Sequence, residues 1–406
     1  MNCTRVTNIS TLLFLFCITS LPSIAQNNIA DSLDGRTNVI NTAVPFLRIA
    51  PDARSGAMGD AGLALSTDAN SIFWNTAKIP FAPKKEGGTD QKMEVAVTYT
   101  PWLRELVNDI YLASLGGYYK IDDVQGLAFG LRYFSLGSIT FTDASGNTLG
   151  DFNPQEFCID AGYGRKLSKY FATGLNLGFV YSNLAQGYAV NNIPIKAGKA
   201  VKADLSFMFH HPAKFGKTIK GEYSIGTTIA NIGNKITYTE SAENKDFLPT
   251  NWGLGAGITF KFDDYNKLVY DLDLNKLLVP TPDSSGEFRS KSMVEGVFSS
   301  FSDAPGGFQE ELREINISTG AEYWYKDLFA VRGGYFYEDK TKGARQYLTA
   351  GLGIKYNIFG LNFSYLIPTS SQKNPLDNTL RFTLYFNFDD IKKAQEAPTG
   401  GSDNAN

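Results

Sequence analysis

Residues 251–276 read NWGLGAGITFKFDDYNKLVYDLDLNK, and the fold follows from how this stretch is parsed. Trp252, Leu254, Ala256, Ile258, Phe260 and Phe262 alternate with Gly253, Gly255, Gly257, Thr259 and Lys261. Successive side chains of an extended chain point to opposite faces, so the first set makes an apolar, aromatic face and the second a small or polar one. Asp263-Asp264-Tyr265 interrupts, and residues 266–276 resume an extended pattern. The stretch therefore reads as strand, short turn, strand. A β-sandwich would bury the apolar face in protein, whereas a membrane barrel turns it to lipid and its polar face inward.

The same alternation recurs. Leu380, Phe382, Leu384, Phe386 and Phe388 alternate with Arg381, Thr383, Tyr385 and Asn387. Leu348, Ala350, Leu352, Ile354 and Tyr356 alternate with Tyr347, Thr349, Gly351, Gly353 and Lys355. Strands are expected near 93–100, 110–120, 124–136, 156–166, 170–183, 200–210, 222–232, 251–262, 266–276, 315–325, 328–338, 346–356, 359–366 and 379–388, an even count of about fourteen, as bacterial outer-membrane barrels have. Connection lengths alternate. Residues 121–123, 167–169, 263–265, 326–327 and 357–358 are short; 141–155, 185–199, 233–250 and 277–314 are long. Short periplasmic turns and long outer loops produce this alternation, and a sandwich has no reason to. The connection 211–221 breaks it, being of medium length where a short turn belongs. Aromatics near strand ends, among them Tyr99, Trp102, Tyr118, Tyr119, Trp324 and Tyr337, suit girdles at the two membrane interfaces.

Composition agrees. The 406-residue chain carries 29 Phe, 21 Tyr and 39 Gly against 2 His and 3 Cys, with a net charge of -3. Strand-forming aromatics with abundant turn formers indicate an all-β protein, and near-neutral charge gives no argument for nucleic-acid binding. Arg5 followed by the apolar run 9–21 and the small residues Ser23-Ile24-Ala25 reads as a secretory signal, with cleavage expected after Ala25. Phe16 before Cys17 is too large for lipoprotein processing. Loss of Cys3 and Cys17 leaves Cys158 alone, so no intramolecular disulfide is expected. No later stretch has the roughly 18 consecutive apolar residues of a membrane helix. The expected organisation is a signal peptide over 1–25, an N-terminal periplasmic segment over 26–92, a transmembrane barrel over 93–388 and a polar periplasmic tail over 389–406.

Within the N-terminal segment, residues 51–78 read PDARSGAMGDAGLALSTDANSIFWNTAK. There is no strand alternation. Gly56, Gly59 and Gly62 recur every three residues, allowing close approach of backbone to another surface. Asp68 is placed to cap a short helix running through Phe73. A phosphate loop is excluded, because no strand precedes the stretch and no Gly-Lys-Ser/Thr follows. A compact piece tucked into a barrel lumen fits best.

This stretch resembles the N-terminal signature of the PorV family, outer-membrane proteins of the type IX secretion system of Bacteroidota. That family in turn looks related to the fourteen-stranded FadL transport barrels, which carry an N-terminal hatch ending in Asn-Pro-Ala. The matching residues are Pro51, Asp52, Arg54, Gly56, Met58, Gly59, Asp60, Gly62, Asp68, Ala69, Asn70, Trp74, Asn75, Ala77 and Lys78; Thr76 stands where the hatch motif has proline. The resemblance implies an all-β, 14-stranded antiparallel transmembrane barrel with an N-terminal hatch. It implies a carrier of cargo bearing the type IX C-terminal signal domain, passed from a SprA-type translocon to a PorU-type sortase that attaches it to lipopolysaccharide in the outer membrane. A FadL-like transporter of hydrophobic small molecules is the alternative.

Nothing in the residues points to an enzyme, a metal or a cofactor. His210 and His211 would face opposite sides of a strand and cannot share an ion there. Cys158 shares a face with Glu156 and Asp160, whose charges disfavour a thiolate nucleophile. Asp271 and Asp273 would face the lumen with Arg132, Arg332 and Lys355. That arrangement suits a solvated, ion-paired interior or an anchor for the hatch, in which Asp60 or Arg54 pairs with lumen charges, more than a conduction site. The loop 277–314 holds Val294, Val297, Phe298, Phe301 and Phe308, which form either a partner-binding surface or a lid over the barrel mouth. Residues 305–313 have room for one helical turn.

Overall fold

A computed structural model describes residues 38–83, 91–103, 109–142, 145–190, 193–240, 245–282, 287–369 and 378–388. The expected signal peptide, residues 26–37 and the tail 389–406 lie outside them. Among the described residues fourteen strands close into one antiparallel barrel. They are β1 (Met93–Pro101), β2 (Ile110–Lys120), β3 (Gln125–Leu136), β6 (Gln155–Lys166), β7 (Phe171–Asn183), β10 (Gly198–Phe215), β11 (Ile219–Gly233), β12 (Asn251–Lys261), β13 (Asn266–Leu277), β14 (Ile315–Tyr325), β15 (Phe329–Tyr337), β16 (Gln346–Tyr356), β17 (Phe359–Pro368) and β18 (Leu380–Asn387). Two small hairpins stand in loops outside the ring, β4 (Ile139–Thr142) with β5 (Thr148–Phe152) and β8 (Ala189–Val190) with β9 (Ile193–Pro194). First and last barrel strands pair, with Val95 opposite Phe386 and Thr98 opposite Thr383, so the sheet has no free edge.

The faces are assigned as the alternation predicts. On β6, Ile159 is 53% exposed and Asp160 2%. On β12, Trp252 and Leu254 face outward while Gly253 and Gly255 are buried. Such a continuous apolar exterior is at home only in lipid. No helix of the described residues is long and apolar enough to cross a membrane.

The connection 211–221 is corrected by the structure. β10 runs on to Phe215 and β11 starts at Ile219, leaving a three-residue turn at Gly216, which has φ +71°. The ladder continues through Pro212 opposite Glu222 and Lys214 opposite Lys220. Pro212 is tolerated because β10 pairs with β7 only as far as Phe209, and beyond that its other edge has no ladder to break. The short turns therefore all gather at one end of the barrel and the long loops at the other. In the longest loop a helix over Phe308–Arg313 occupies the expected turn. A second helix, Met293–Ser299, was not anticipated, although its reciprocal cap by Ser292 and Glu295 is a readable sequence signal.

Candidate functional site

The N-terminal segment is built against the inward faces of the strands. It begins at the long-loop end, where the Asn38 amide donates to the Thr341 carbonyl (3.1 Å) and the Ala43 amide to the Phe247 carbonyl (2.9 Å). Val44, Phe46 and Leu47 then join an apolar cluster with Leu112, Phe134, Val180, Ile236 and Leu248. The Arg132 guanidinium donates to the Leu47 carbonyl (2.8 Å), and Ser114 to the Pro51 carbonyl (2.7 Å).

Asp52 organises the motif. One carboxylate oxygen caps the helix Ala53–Gly56 by accepting from the Ser55 amide (2.8 Å); the other accepts from the Trp74 indole (2.8 Å). It thus ties the two ends of the quoted stretch together. The Ala53 amide reaches Thr383 of β18 (2.9 Å). Arg54 makes paired bonds to Glu322 of β14, Nε at 3.0 Å and Nη2 at 2.9 Å, and a third to Asp68 (3.0 Å). Burial works against its charge, but the Glu322 and Asp68 carboxylates outweigh burial and hold its pKa above the ordinary arginine value. Glu322 also accepts from Arg332 (2.6 Å), which reaches Asn362 (3.0 Å).

Gly59 lies where the segment touches the wall most closely. It has φ +70°, and a Cβ there would stand 2.5 Å from the Tyr335 carbonyl oxygen. The wall answers in kind: a Cβ at Gly334 would lie 2.2 Å from the Gly59 nitrogen, and one at Gly320 would lie 2.6 Å from the Met58 backbone. Gly226, Gly255 and Gly257 make the same room for residues 63–64. Asp60 pairs with the Tyr347 hydroxyl (2.5 Å) and Arg381 (3.5 Å). Asp273 accepts from the Gly62 and Leu63 amides (2.7 and 3.0 Å).

Three motif residues differ from expectation. Asn70, not Asp68, takes the N-cap position of the helix Ser71–Trp74; Asp68 accepts from the Asn70 amide (3.0 Å) and from Arg54 instead. Gly56 and Gly62 meet side chains, Arg381 and Trp74 respectively, rather than wall backbone. Thr76 sits at the first position of a 3-10 helix, Thr76–Phe81, which Asn75 caps by accepting from the Ala77 amide (3.0 Å). The Asn75 amide nitrogen also donates to the carbonyls of Leu63 (3.2 Å) and Phe207 (3.1 Å).

Sequence reading missed Glu322, the hub of the central ion pairs, although its place between Ala321 and Tyr323 on an alternating strand assigns it to the inner face. Arg132 binds backbone and lies 3.6 Å from Asp160. His210 faces inward beside Phe81 and Ser224, whereas His211 stacks with Tyr223 on the other face. Below the segment, at the short-turn end, is a cavity of about 1260 Å³ lined by charged groups including Arg54, Glu94, Lys120, Arg332 and Lys355. Of the five residues singled out in the long loop, Val294, Phe298, Phe301 and Phe308 are exposed, Phe298 and Phe308 by 72% and 75%, and Val297 is half-buried.

Set against known proteins, residues 32–284 match the family described as Type IX secretion system protein PorV. No curated protein matches the chain. Among solved structures it is similar to the Pseudomonas putida toluene transporter TodX, at 12% identity and a TM-score of 0.43 over 86% of this chain and 98% of that one. Similar too are the CymD monoaromatic hydrocarbon channel (13%, TM-score 0.43, 82% and 95%) and a Pseudomonas aeruginosa FadL homologue (10%, TM-score 0.37, 86% and 99%).

Proposed function

The chain belongs to the PorV family of type IX secretion system proteins, and from that membership we propose that it is a cargo carrier whose lumen stays plugged. In this reading residues 38–83 are a fixed plug within the outer-membrane barrel. The long loops bind cargo that carries the C-terminal signal domain, receive it from the SprA-type translocon and present it to the PorU-type sortase. One observation carries the reading: the segment is bonded to β2, β3, β10, β13, β14, β16 and β18, all round the inner wall. A protein with its interior so occupied is suited to work from its rim, where Phe298 and Phe308 are exposed. Passage of hydrophobic small molecules fits less well, because the cavity beneath the segment is lined by charge.

The test is affinity capture of the protein from outer membranes in mild detergent. Cargo with uncleaved signal domains should co-purify; their absence from cells that secrete such cargo would reject the carrier role.

A further inference from the structure

A second cavity, of about 540 Å³, opens at the long-loop end on the outside of the barrel. Four lysines line it, Lys196, Lys199, Lys235 and Lys245, together with Tyr181 and Asn234. Lys199 of β10 stands opposite Tyr181 of β7, and two residues nearer the membrane centre Val201 stands opposite Phe179. Val201 and Phe179 are 60% and 40% exposed, so both pairs lie on the face that meets lipid. Lys196, Lys199 and Lys245 are themselves exposed. The nearby carboxylate of Asp246 is engaged by Arg289 at 3.7 Å.

The neighbourhood is that of an interface. The Lys235 ammonium lies over the Phe247 ring (4.3 Å) and donates to the Lys291 carbonyl (3.2 Å), which joins the pocket to the long loop. Farther along that loop Phe301 packs at a tilt against Trp252, on the outward face of β12, with centroids 6.4 Å apart and ring planes at 59°. Cationic and aromatic side chains thus run side by side along the outer rim of β7, β10, β11 and β12. Clustered ammonium groups repel one another and call for an anion, and aromatic rings settle where headgroups meet acyl chains.

We propose that this pocket binds the phosphorylated headgroup of an outer-leaflet lipopolysaccharide, with the exposed Lys196, Lys199 and Lys245 on the anionic groups and the Trp252–Phe301 pair beside the acyl boundary. The long-loop end faces the outside of the cell, and lipopolysaccharide is the anionic lipid of that leaflet. The inference rests on the barrel's orientation and not on the carrier role.

The test compares the full-length protein with K199E/K245E and, as a control at the opposite end, K214E/K217E. Each is purified from outer membranes in mild detergent, checked for heat-modifiable migration, and assayed for lipopolysaccharide retained per barrel. The expected result is a loss of about tenfold or more in K199E/K245E with none in the control. Equal retention by K199E/K245E and the wild type would overturn the proposal. K199Q/K245Q removes charge more gently and should give a partial loss, which keeps the test decisive if charge reversal disturbs folding. In nanodiscs of phosphatidylethanolamine, binding should need added lipopolysaccharide. Equal binding of phosphatidylglycerol, or displacement of lipopolysaccharide by inorganic phosphate, would contradict it in favour of an unspecific anion site.

Discussion

Arg54 and Glu322 are 268 residues apart in sequence and share two hydrogen bonds inside the barrel, at 3.0 and 2.9 Å. Glu322 is fully buried and carries Arg332 on the same carboxylate. The pair joins the N-terminal segment to the wall, and it is asymmetric. Glu322→Ala leaves the buried Arg332 guanidinium without its carboxylate and Arg54 with Asp68 alone, whereas Arg54→Ala leaves Glu322 still paired with Arg332. Removing one partner of a buried pair costs about 3–5 kcal/mol when the other charge is stranded. Glu322→Ala is expected to fall in that range and Arg54→Ala below it, read as the denaturant midpoint of the folded band on gels. The reverse order would show that the hub has been misassigned.

Gly333 and Gly334 supply a matched comparison. A Cβ at Gly334 would strike the Gly59 nitrogen and the Met58 carbonyl carbon at 2.2 Å, while one at Gly333 would meet nothing closer than the Thr349 carbonyl oxygen at 3.8 Å. Gly334→Val should therefore displace the segment and open residues 53–60 to protease. Gly333→Val, on the lipid side, should leave the digestion pattern unchanged.

Thr76→Pro restores the proline of the hatch motif and should be accepted. Thr76 is the first residue of its 3-10 helix, a position where proline is favoured, and Asn75 before it is extended at φ -156° and ψ 100°, as a residue preceding proline must be. A change in stability within about 1 kcal/mol is expected. Asn75→Ala, which removes two buried hydrogen bonds and a partly buried third, should cost about 1–3 kcal/mol. Paired unfolding curves check both.

Phe298→Ser and Phe308→Ser separate binding from folding. Both side chains are largely exposed, so stability should change by no more than about 0.5 kcal/mol. Cargo recovered on capture should fall. Lys342→Ala should instead lower stability. Its buried ammonium bridges Glu310 (2.6 Å) and Glu314 (2.9 Å); Lys276 keeps Glu314 paired (2.5 Å), so the loss deprives chiefly Glu310 of its cation and loosens the helix Phe308–Arg313.

The barrel was legible because alternation is local: each strand declares its faces within some ten residues, and β2 and β14 begin and end where the pattern does. The largest shortfall is at β10 and β11, where Pro212 reads as a break but lies on a stretch paired on one side alone; β17 runs two residues past its expected end. Gly255, Gly257, Gly320 and Gly334 were visible as small inward residues, yet what they make room for lies some 190 to 280 residues away, and no local pattern reports contacts at that distance. For the same reason Arg54 was expected to meet lumen charge but Glu322 could not be chosen. The exposed phenylalanines of the long loop were readable as a cluster; that the loop reaches the lysine pocket depends on where it folds.

The central claim is that residues 38–83 remain fixed to the wall while the protein carries cargo. Cysteines replacing Ala53 and Thr383, whose amide nitrogen and hydroxyl oxygen are 2.9 Å apart, test it most directly. Oxidation in native outer membranes should form the cross-link, and the locked protein should still capture cargo with uncleaved signal domains at the wild-type level. Failure of the cross-link to form, or loss of cargo on oxidation with recovery on reduction, would contradict the account.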